Sequence, residues 1–312
     1  MTKDAISSQK DESDFKHPEK PIKIAYFILV HRFPEQFKRC FKAIYHPNNY
    51  YLIHLDKKAN KKIHENVSRF LIDYPNVSIL DSENVLWGGY SMVQVELNGI
   101  KKLLSLYTDW DFFINLSGQD FPLKSQDYIH DYLDKYRKTN FIKIKNQALE
   151  RPETMNRVEN YFVESDTNLD TSIRKRPFLA KMTPYIGGQW MILTRHTCNF
   201  FSTCDETLEI ERFYRNTLIA DESFFQTVMM NTSFNGTVVN DDKRAIIWIA
   251  DGDIKLRPKT FTKEDIPFLL AGDNLFARKF DELVDSDVLA ILEATLTSHK
   301  PLRQTGQVSF VS

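Results

Sequence analysis

The sequence predicts an α/β fold, a single domain whose mostly parallel central sheet is flanked by helices. Short apolar segments rich in β-forming residues alternate with longer amphipathic segments over the first 146 residues. Of the 312 residues, 42% are hydrophobic and 27% charged, which provides enough apolar surface for a large buried core. No linker rich in Gly, Pro or Ser divides the chain, so we expect one compact unit.

The first half has the most regular pattern. Residues 22–30 form a continuous apolar run, typical of a strand that is buried on both faces. The helix predicted over 34–46 begins at Pro34, a residue suited to the first helical turn. The same periodicities predict strands at 50–56, 77–80, 111–117 and 140–146, and helices at 60–74, 92–107 and 126–138.

The second half is less regular. Residues 147–185 carry many charges and predict a loop with a helix near 153–164. The remaining segments predict strands at 190–195 and 244–251, and helices at 196–217, 222–232, 263–272 and 286–299. The polar residues 1–21 predict a disordered arm and residues 300–312 a C-terminal tail, which leaves a domain over 22–299.

Charge and composition exclude several functional classes. The 41 Lys and Arg residues balance 42 Asp and Glu residues, so no basic field attracts nucleic acid. Neither a G-x-G-x-x-G motif nor a P-loop is present, which argues against a dinucleotide-binding or P-loop protein. The three cysteines fit a reducing compartment, and no apolar leader or 18-residue apolar run occurs. We therefore expect a cytoplasmic protein.

Polar residues follow several predicted strands. They are His31, Asp56, Asp81 and the segment 117–120. Ligands of parallel sheets bind beyond the carboxyl ends of the strands, so these residues predict a binding crevice. The alternative is that the loops are polar because they face water.

A divalent metal site is only weakly indicated. The D-x-D pattern, which can hold a metal against a nucleotide diphosphate, is expected by chance in so acidic a chain. Only its second occurrence follows a predicted strand, whereas the first precedes a strand and the third begins a helix. The three occurrences are Asp109/Asp111, Asp251/Asp253 and Asp285/Asp287.

Other residue types could carry chemistry. Asp221 and Glu222 begin a predicted helix, where the helix dipole favours a carboxylate and where a general base could also lie. Trp190 and Trp248 could belong to the core or provide a flat surface for a sugar ring. The last quarter carries cations that are either a solvated face or a clamp for a diphosphate: Lys255, Arg257, Lys259, Arg278 and Lys279.

Six segments in a fixed order resemble a known family. They are IHLDKKA (53–59), WGGYS (87–91), WDFFINLSGQDFPLKS (110–125), GGQWMILTR (187–195), DESFFQTV (221–228) and LFARKFD (275–281). Together they resemble the core-2/I-branching β-1,6-N-acetylglucosaminyltransferases and peptide O-xylosyltransferases, which form glycosyltransferase family fourteen. The chain resembles a bacterial member, and the similarity runs from about Ile22 to Leu292.

The resemblance implies a GT-A-like (Rossmann-like) fold, a UDP-sugar donor, inversion at the anomeric carbon and no metal or other cofactor. A nucleotide-binding half would span about 22–146 and an acceptor and catalytic half about 147–299. Lys259 stands where animal branching enzymes carry an arginine, so its match is looser. The implied roles are Glu222 as catalytic base, Lys259 and Lys279 on the diphosphate, His31, Arg32 and Asp56 on uridine, and Trp190, Trp248, Gly188 and Asp120 at the sugar or acceptor.

The chain also departs from the animal enzymes, which have a membrane anchor and several disulfides. Ala250 replaces an aromatic residue near their acceptor, so we expect a different acceptor. The donor would be UDP-N-acetylglucosamine or UDP-xylose. The acceptor would be a glycan or lipid-linked oligosaccharide for a bacterial surface polysaccharide, reached in the cytoplasm or by peripheral contact with the inner face of the membrane. Two alternatives are a catalytically silent sugar-nucleotide or glycan-binding module and a glycoside hydrolase with paired carboxylates.

Overall fold

The computed structural model describes residues 20–172, 174–251 and 255–298. Apart from Lys20 and Pro21, the arm predicted at 1–21 lies outside the described residues, as do the tail predicted at 300–312 and Asp253. The predicted domain boundaries and the division near residue 146 therefore stay predictions.

The strands are β1 (Ile24–Val30), β2 (Tyr50–Leu55), β3 (Val77–Leu80), β4 (Phe112–Ser117), β5 (Asp120–Pro122), β6 (Thr139–Asn146), β7 (Val163–Glu164), β8 (Leu169–Asp170), β9 (Tyr185–Thr194), β10 (Thr237–Val239), β11 (Arg244–Ala245), β12 (Trp248–Asp251), β13 (Lys255–Pro258) and β14 (Phe276–Arg278). The helices are α1 (Pro34–Ile44), α2 (Lys61–Leu71), α3 (Ser91–Leu106), α4 (Gln126–Lys135), α5 (Gln147–Glu150), α6 (Asn156–Glu159), α7 (Arg195–Thr203), α8 (Glu206–Tyr214), α9 (Phe224–Asn231), α10 (Ile266–Ala271) and α11 (Asp287–Ser298).

The central sheet has seven strands in the order β10-β6-β9-β4-β1-β2-β3. Strands β1 to β4 pair in parallel, and β10 pairs in parallel with β6. Strand β9 runs antiparallel to both of its neighbours, β4 and β6. The predicted α/β class with a mostly parallel sheet is thus confirmed. In register, Val30 lies opposite Leu55 and Leu29 opposite Ser117, so three strands end at one level.

Helices cover both faces of this sheet because successive strand residues point to opposite sides. In β1, Ala25 and Phe27 pack with α3, α7 and α9, whereas Tyr26 and Ile28 pack with α1, α2 and α4. All four residues are fully buried. Burial of each large apolar side chain stabilises the fold by roughly 1.5–3 kcal/mol. The sheet is therefore a rigid base for the residues at its edge.

A smaller sheet, in the order β11-β14-β5, lies next to the carboxyl end of β4. Its core joins Cys40 of α1 to Phe121, Phe261, Phe280 and Leu289. Strands β5 and β14 are antiparallel and place Asp120 opposite Arg278. This packing brings the end of the chain back to the exit of β4, which the sequence pattern did not predict.

Most elements of the first half agree with the predicted bounds to within three residues. The prediction of a single strand over 244–251 is wrong. Its two ends pair with different partners, β11 with β14 and β12 with β13, so the chain must change direction between them. The helix predicted over 196–217 divides into α7 and α8, because Cys204 has an extended backbone.

The segment 147–185 also differs from its prediction. In place of one helix near 153–164, it holds α5, α6, a 3₁₀ turn and the hairpin β7–β8. In the described parts of the chain, no helix combines the length and the apolar character needed to cross a bilayer.

Candidate active site

Three of the predicted strand exits meet at the carboxyl edge of the central sheet. The amide of Asp56 donates to the carbonyl oxygen of Val30 at 3.0 Å, and the amide of Gly118 donates to that of Leu29 at 2.9 Å. Desolvation of the ring and the positive charge of Arg32 lower the pKa of His31, while the charge of Asp56 opposes that shift. Asp81 follows the edge strand β3, two strands away from β1.

A group of cations lies beside this edge. The Arg32 guanidinium donates to Gln119 Oε1 at 2.9 Å, and Gln119 Nε2 donates to the Phe280 carbonyl at 3.1 Å. Burial and the positive charges of Arg32 and Arg278 lower the pKa of Lys279. Within the described residues Lys279 forms no ion pair, so an anion bound here would relieve the repulsion among the cations.

Lys259 and Lys279 are neighbours through their backbones. The amide of Lys279 donates to the carbonyl of Lys259 at 3.4 Å, and the amide of Phe261 donates to that of Lys279 at 2.9 Å. The two side chains differ, because Lys259 Nζ lies 2.5 Å from Asp265 Oδ1. Asp265 balances the charge of Lys259, whereas Lys279 forms no salt bridge within the described residues.

Asp120, Arg278 and Trp190 form the wall between the two sheets. The fully buried Asp120 accepts from the amide of Ser117 at 2.7 Å and from Arg278 Nη1 at 2.9 Å. The Arg278 guanidinium lies 4.2 Å from the centre of the Trp190 ring, a cation–π arrangement. Trp190 is buried to 6% exposure, so it is a wall residue with one face against Arg278 and not an open platform.

Glu222 ends a 3₁₀ turn, residues 220–222, directly before α9. Its Oε2 accepts from Arg157 Nη1 at 2.7 Å, and its side chain is 27% exposed. Burial and the charge of Glu222 raise the pKa of Asp221 to about 7. Asp221 also interacts with the charges of Arg157 and Arg278, which places the carboxylates next to the cation group.

A third carboxyl group lies behind Asp221. Burial raises the pKa of Glu96 on α3 to about 8, against the hydrogen bond from Asn115. Asn115 Nδ2 donates to Glu96 Oε1 at 2.9 Å, but Glu96 Oε2 has no partner in the described residues. Neither Glu96 nor Arg157 was predicted. Glu96 has a signal in the sequence, a lone acid between Val95 and Leu97 on an apolar helix, whereas the irregular segment around Arg157 has none.

Trp248 and Gly188 complete the predicted site residues. Trp248 is 50% exposed and lies opposite Pro258 in the β12–β13 hairpin, beside Lys259. The carbonyl of Gly188 accepts from Gln226 Nε2 at 2.9 Å. The position that requires glycine is its neighbour Gly187, where an added Cβ would lie 1.8 Å from the Lys143 carbonyl oxygen.

The D-x-D residues that the structure describes have other partners. Asp109, at the opposite edge of the sheet, accepts from Lys23 Nζ at 2.5 Å and from the Tyr50 hydroxyl at 2.6 Å. Asp251 lies 3.6 Å from Arg257. Among the described residues, no three His, Cys, Asp or Glu side chains are grouped so that they could hold a metal ion.

Comparison of the sequence with known families gives a match over most of the chain. A family model described as "Core-2/I-Branching enzyme" matches residues 24–269. The chain belongs to the core-2/I-branching enzyme family. The family and the sheet order together confirm the GT-A-like, Rossmann-like fold that the sequence motifs implied.

Curated proteins similar to this family member are xylosyltransferases. Xylosyltransferase 1 of Rattus norvegicus is 31% identical over 97% of this chain and 39% of its own length. A xylosyltransferase of Ciona intestinalis is 32% identical over 90% of this chain and 35% of its own length. The chain thus spans between a third and two-fifths of the length of these relatives.

Solved structures that resemble this core-2/I-branching family member are more distant. The galactosyltransferase LgtC in complex with donor and acceptor sugar analogues has a TM-score of 0.44 at 9% identity, covering 89% of this chain and 98% of that one. A 4-diphosphocytidyl-2C-methyl-D-erythritol synthase from Anaerococcus prevotii has a TM-score of 0.36 at 11% identity, covering 80% of this chain and 95% of that one.

Proposed function

We propose that this chain is an inverting glycosyltransferase that moves a sugar from a UDP-sugar to a hydroxyl group of a glycan. One observation carries the proposal, namely that a partly exposed carboxylate, Glu222, lies next to a group of cations at the carboxyl edge of the sheet. Arg278 connects the two, because its charge acts on Asp221 and on Lys279. A base on one side and cations on the other suit a displacement that releases a diphosphate.

In the reaction, Glu222 takes the proton of the acceptor hydroxyl while that oxygen attacks C1 of the sugar. The bond from C1 to the diphosphate oxygen breaks, and UDP leaves with the bonding electron pair. Lys279, with Lys259 and Arg32 nearby, would stabilise the charge that develops on the diphosphate. In this proposal the cations take the role that a metal has in other transferases, and no metal ion is required.

The donor would bind along the edge of the sheet. His31, Arg32 and Asp56 would contact the uridine, and the sugar would lie against Asp120, Gly188 and Trp190. The names of the relatives favour xylose, and N-acetylglucosamine is the alternative that the sequence motifs imply. Trp248 offers an exposed aromatic face to an acceptor sugar. A precursor of a bacterial surface polysaccharide, carried on a lipid at the inner face of the membrane, is the acceptor that we propose.

The test is thermal unfolding of the full chain with UDP, UDP-xylose and UDP-N-acetylglucosamine, each in EDTA. A ligand that binds only the folded protein raises the unfolding temperature, so the donor is identified without knowledge of the acceptor. We expect UDP and one of the two sugar nucleotides to stabilise the chain in EDTA. A response only with added manganese would refute the metal-independent mechanism. Stabilisation without any UDP release, whatever the acceptor, would favour a binding module.

A further inference from the structure

Arg157 contacts the turn that carries Glu222 in two ways. Its side chain donates to Glu222 Oε2 at 2.7 Å, and both side chains are mostly buried, with 20% of Arg157 and 27% of Glu222 exposed. Its carbonyl oxygen accepts from the amide of Leu218 at 3.3 Å, four residues before Glu222. One residue of the irregular segment 147–185 therefore holds both the backbone of this turn and its functional side chain.

The backbone of the turn needs such support. Ile219 has φ 52° and ψ 51°, the left-handed region that is unfavourable for a β-branched residue. The amide of Ile219 donates to the carbonyl of Gly88 at 2.7 Å. The turn is thus fixed between Gly88 on one side and Arg157 on the other, and the position of Glu222 depends on both.

Two further carboxyl groups lie near the turn that carries Glu222. Asp221 is adjacent, is buried, and leaves Oδ1 without a hydrogen-bond partner in the described residues. Glu96 on α3 adds a further carboxyl group close to Asp221. The charge of Arg278 on β14 also acts on Asp221, but its guanidinium donates to Asp120 at 2.9 Å. Arg157 is therefore the cation that directly pairs with Glu222.

We propose that Arg157 is a positioning residue that holds the Glu222 carboxylate in the orientation required for transfer. This inference rests on the proposed role of Glu222 as the base. A hydrogen bond from a guanidinium to a carboxylate is short and directional, so it holds the carboxylate in one orientation. When Arg157 is replaced by a neutral residue, Glu222 loses this donor and is no longer held in place. The chemical step then slows, whereas the sugar nucleotide still binds at the cation group.

The test measures kcat and KM for UDP release from UDP-xylose and from UDP-N-acetylglucosamine, with water as the acceptor. The variants of the full chain are Arg157→Gln and Arg157→Lys. Arg174→Gln is the matched control, because Arg174 lies in the same segment and pairs with Asp170 on the surface. We expect Arg157→Gln to lower kcat roughly 10–100-fold, because a small displacement of a catalytic group slows the chemical step, and to leave KM for the sugar nucleotide about unchanged.

We expect Arg157→Lys to recover part of the lost kcat, because lysine can still donate a hydrogen bond to Glu222 but lacks the planar guanidinium group. A kcat that stays at the wild-type value in Arg157→Gln, or a rise in KM without a fall in kcat, would overturn the inference. If Arg157→Gln does not fold, Arg157→Lys decides: a lower unfolding temperature with an unchanged rate would mean that Arg157 is only structural. Glu222→Gln separates the two proposals, because full activity in that variant refutes the base itself.

Discussion

The candidate site has a donor side, which carries cations, and a catalytic side, which carries carboxyl groups. The repulsion between like charges within each side is reduced in a different way. On the donor side, Arg32, Arg278 and Lys279 lie together, and Lys279 has no ion-pair partner in the part of the chain that is described. On the catalytic side, Glu222 is paired with Arg157, whereas Asp221 and Glu96 have pKa values raised to about 7 and about 8. We expect a bound anion to relieve the repulsion among the cations, whereas bound protons reduce the repulsion among the carboxyl groups.

The largest effect on activity is expected when the proposed base on the catalytic side is removed. Glu222→Gln keeps the shape of the side chain but cannot accept a proton, so we expect transfer or UDP release to fall about 10²–10⁴-fold. UDP should still raise the unfolding temperature of the variant, because the cation group is intact. The two measurements are UDP release and thermal unfolding with UDP. Loss of both together would mean that the two sides are not independent.

The next effect concerns the stability of the catalytic side. The pKa of Glu96 is raised to about 8, so the folded state binds a proton that the unfolded state has already lost above about pH 4–5. As the pH rises from about 5 to about 8, stability therefore falls, by up to roughly 1.4 kcal/mol per pH unit for this one group.

Glu96→Gln removes that dependence and keeps an oxygen acceptor for Asn115. We expect the variant to match the wild type near pH 5 and to exceed its stability by on the order of a few kcal/mol at pH 8. Urea unfolding at both pH values measures the difference. An equal stability gain at pH 5 and pH 8 would show that the Glu96 carboxyl group is not the source of the pH dependence.

A smaller effect compares the two lysines of the donor side. Lys279→Gln should weaken UDP binding about tenfold or more, because a hydrogen bond to a charged group contributes about 1.5–3 kcal/mol. Lys259→Gln should weaken binding less, since Asp265 already pairs with Lys259 at 2.5 Å. Titration calorimetry with UDP measures both. If Lys259→Gln has the larger effect, Asp265 must release that lysine when UDP binds.

The elements of the first half could be predicted because their patterns are local. The apolar run of β1 and the helical spacing in α1 arise from neighbouring residues, so the strand exits at His31 and Asp56 follow directly. The family motifs predicted Glu222 and Lys279 as site residues by their order along the chain. The second half was predicted less well, because its short strands pair with distant segments. Strand β5 pairs with β14, and the apolar run 244–251 divides between two different sheets.

By itself, the sequence determined the α/β class, the parallel strands β1 to β4 and the family, since all of these depend on local periodicity or on motifs in order. Only the tertiary structure decided that Arg157 pairs with Glu222, that Asp120 faces Arg278 and that Asp265 balances Lys259. The first two contacts join residues that are 65 and 158 positions apart. Their pairing depends on how the segment 147–185 and the small sheet pack on the central sheet. Neither spacing nor residue type encodes which charges that packing brings together.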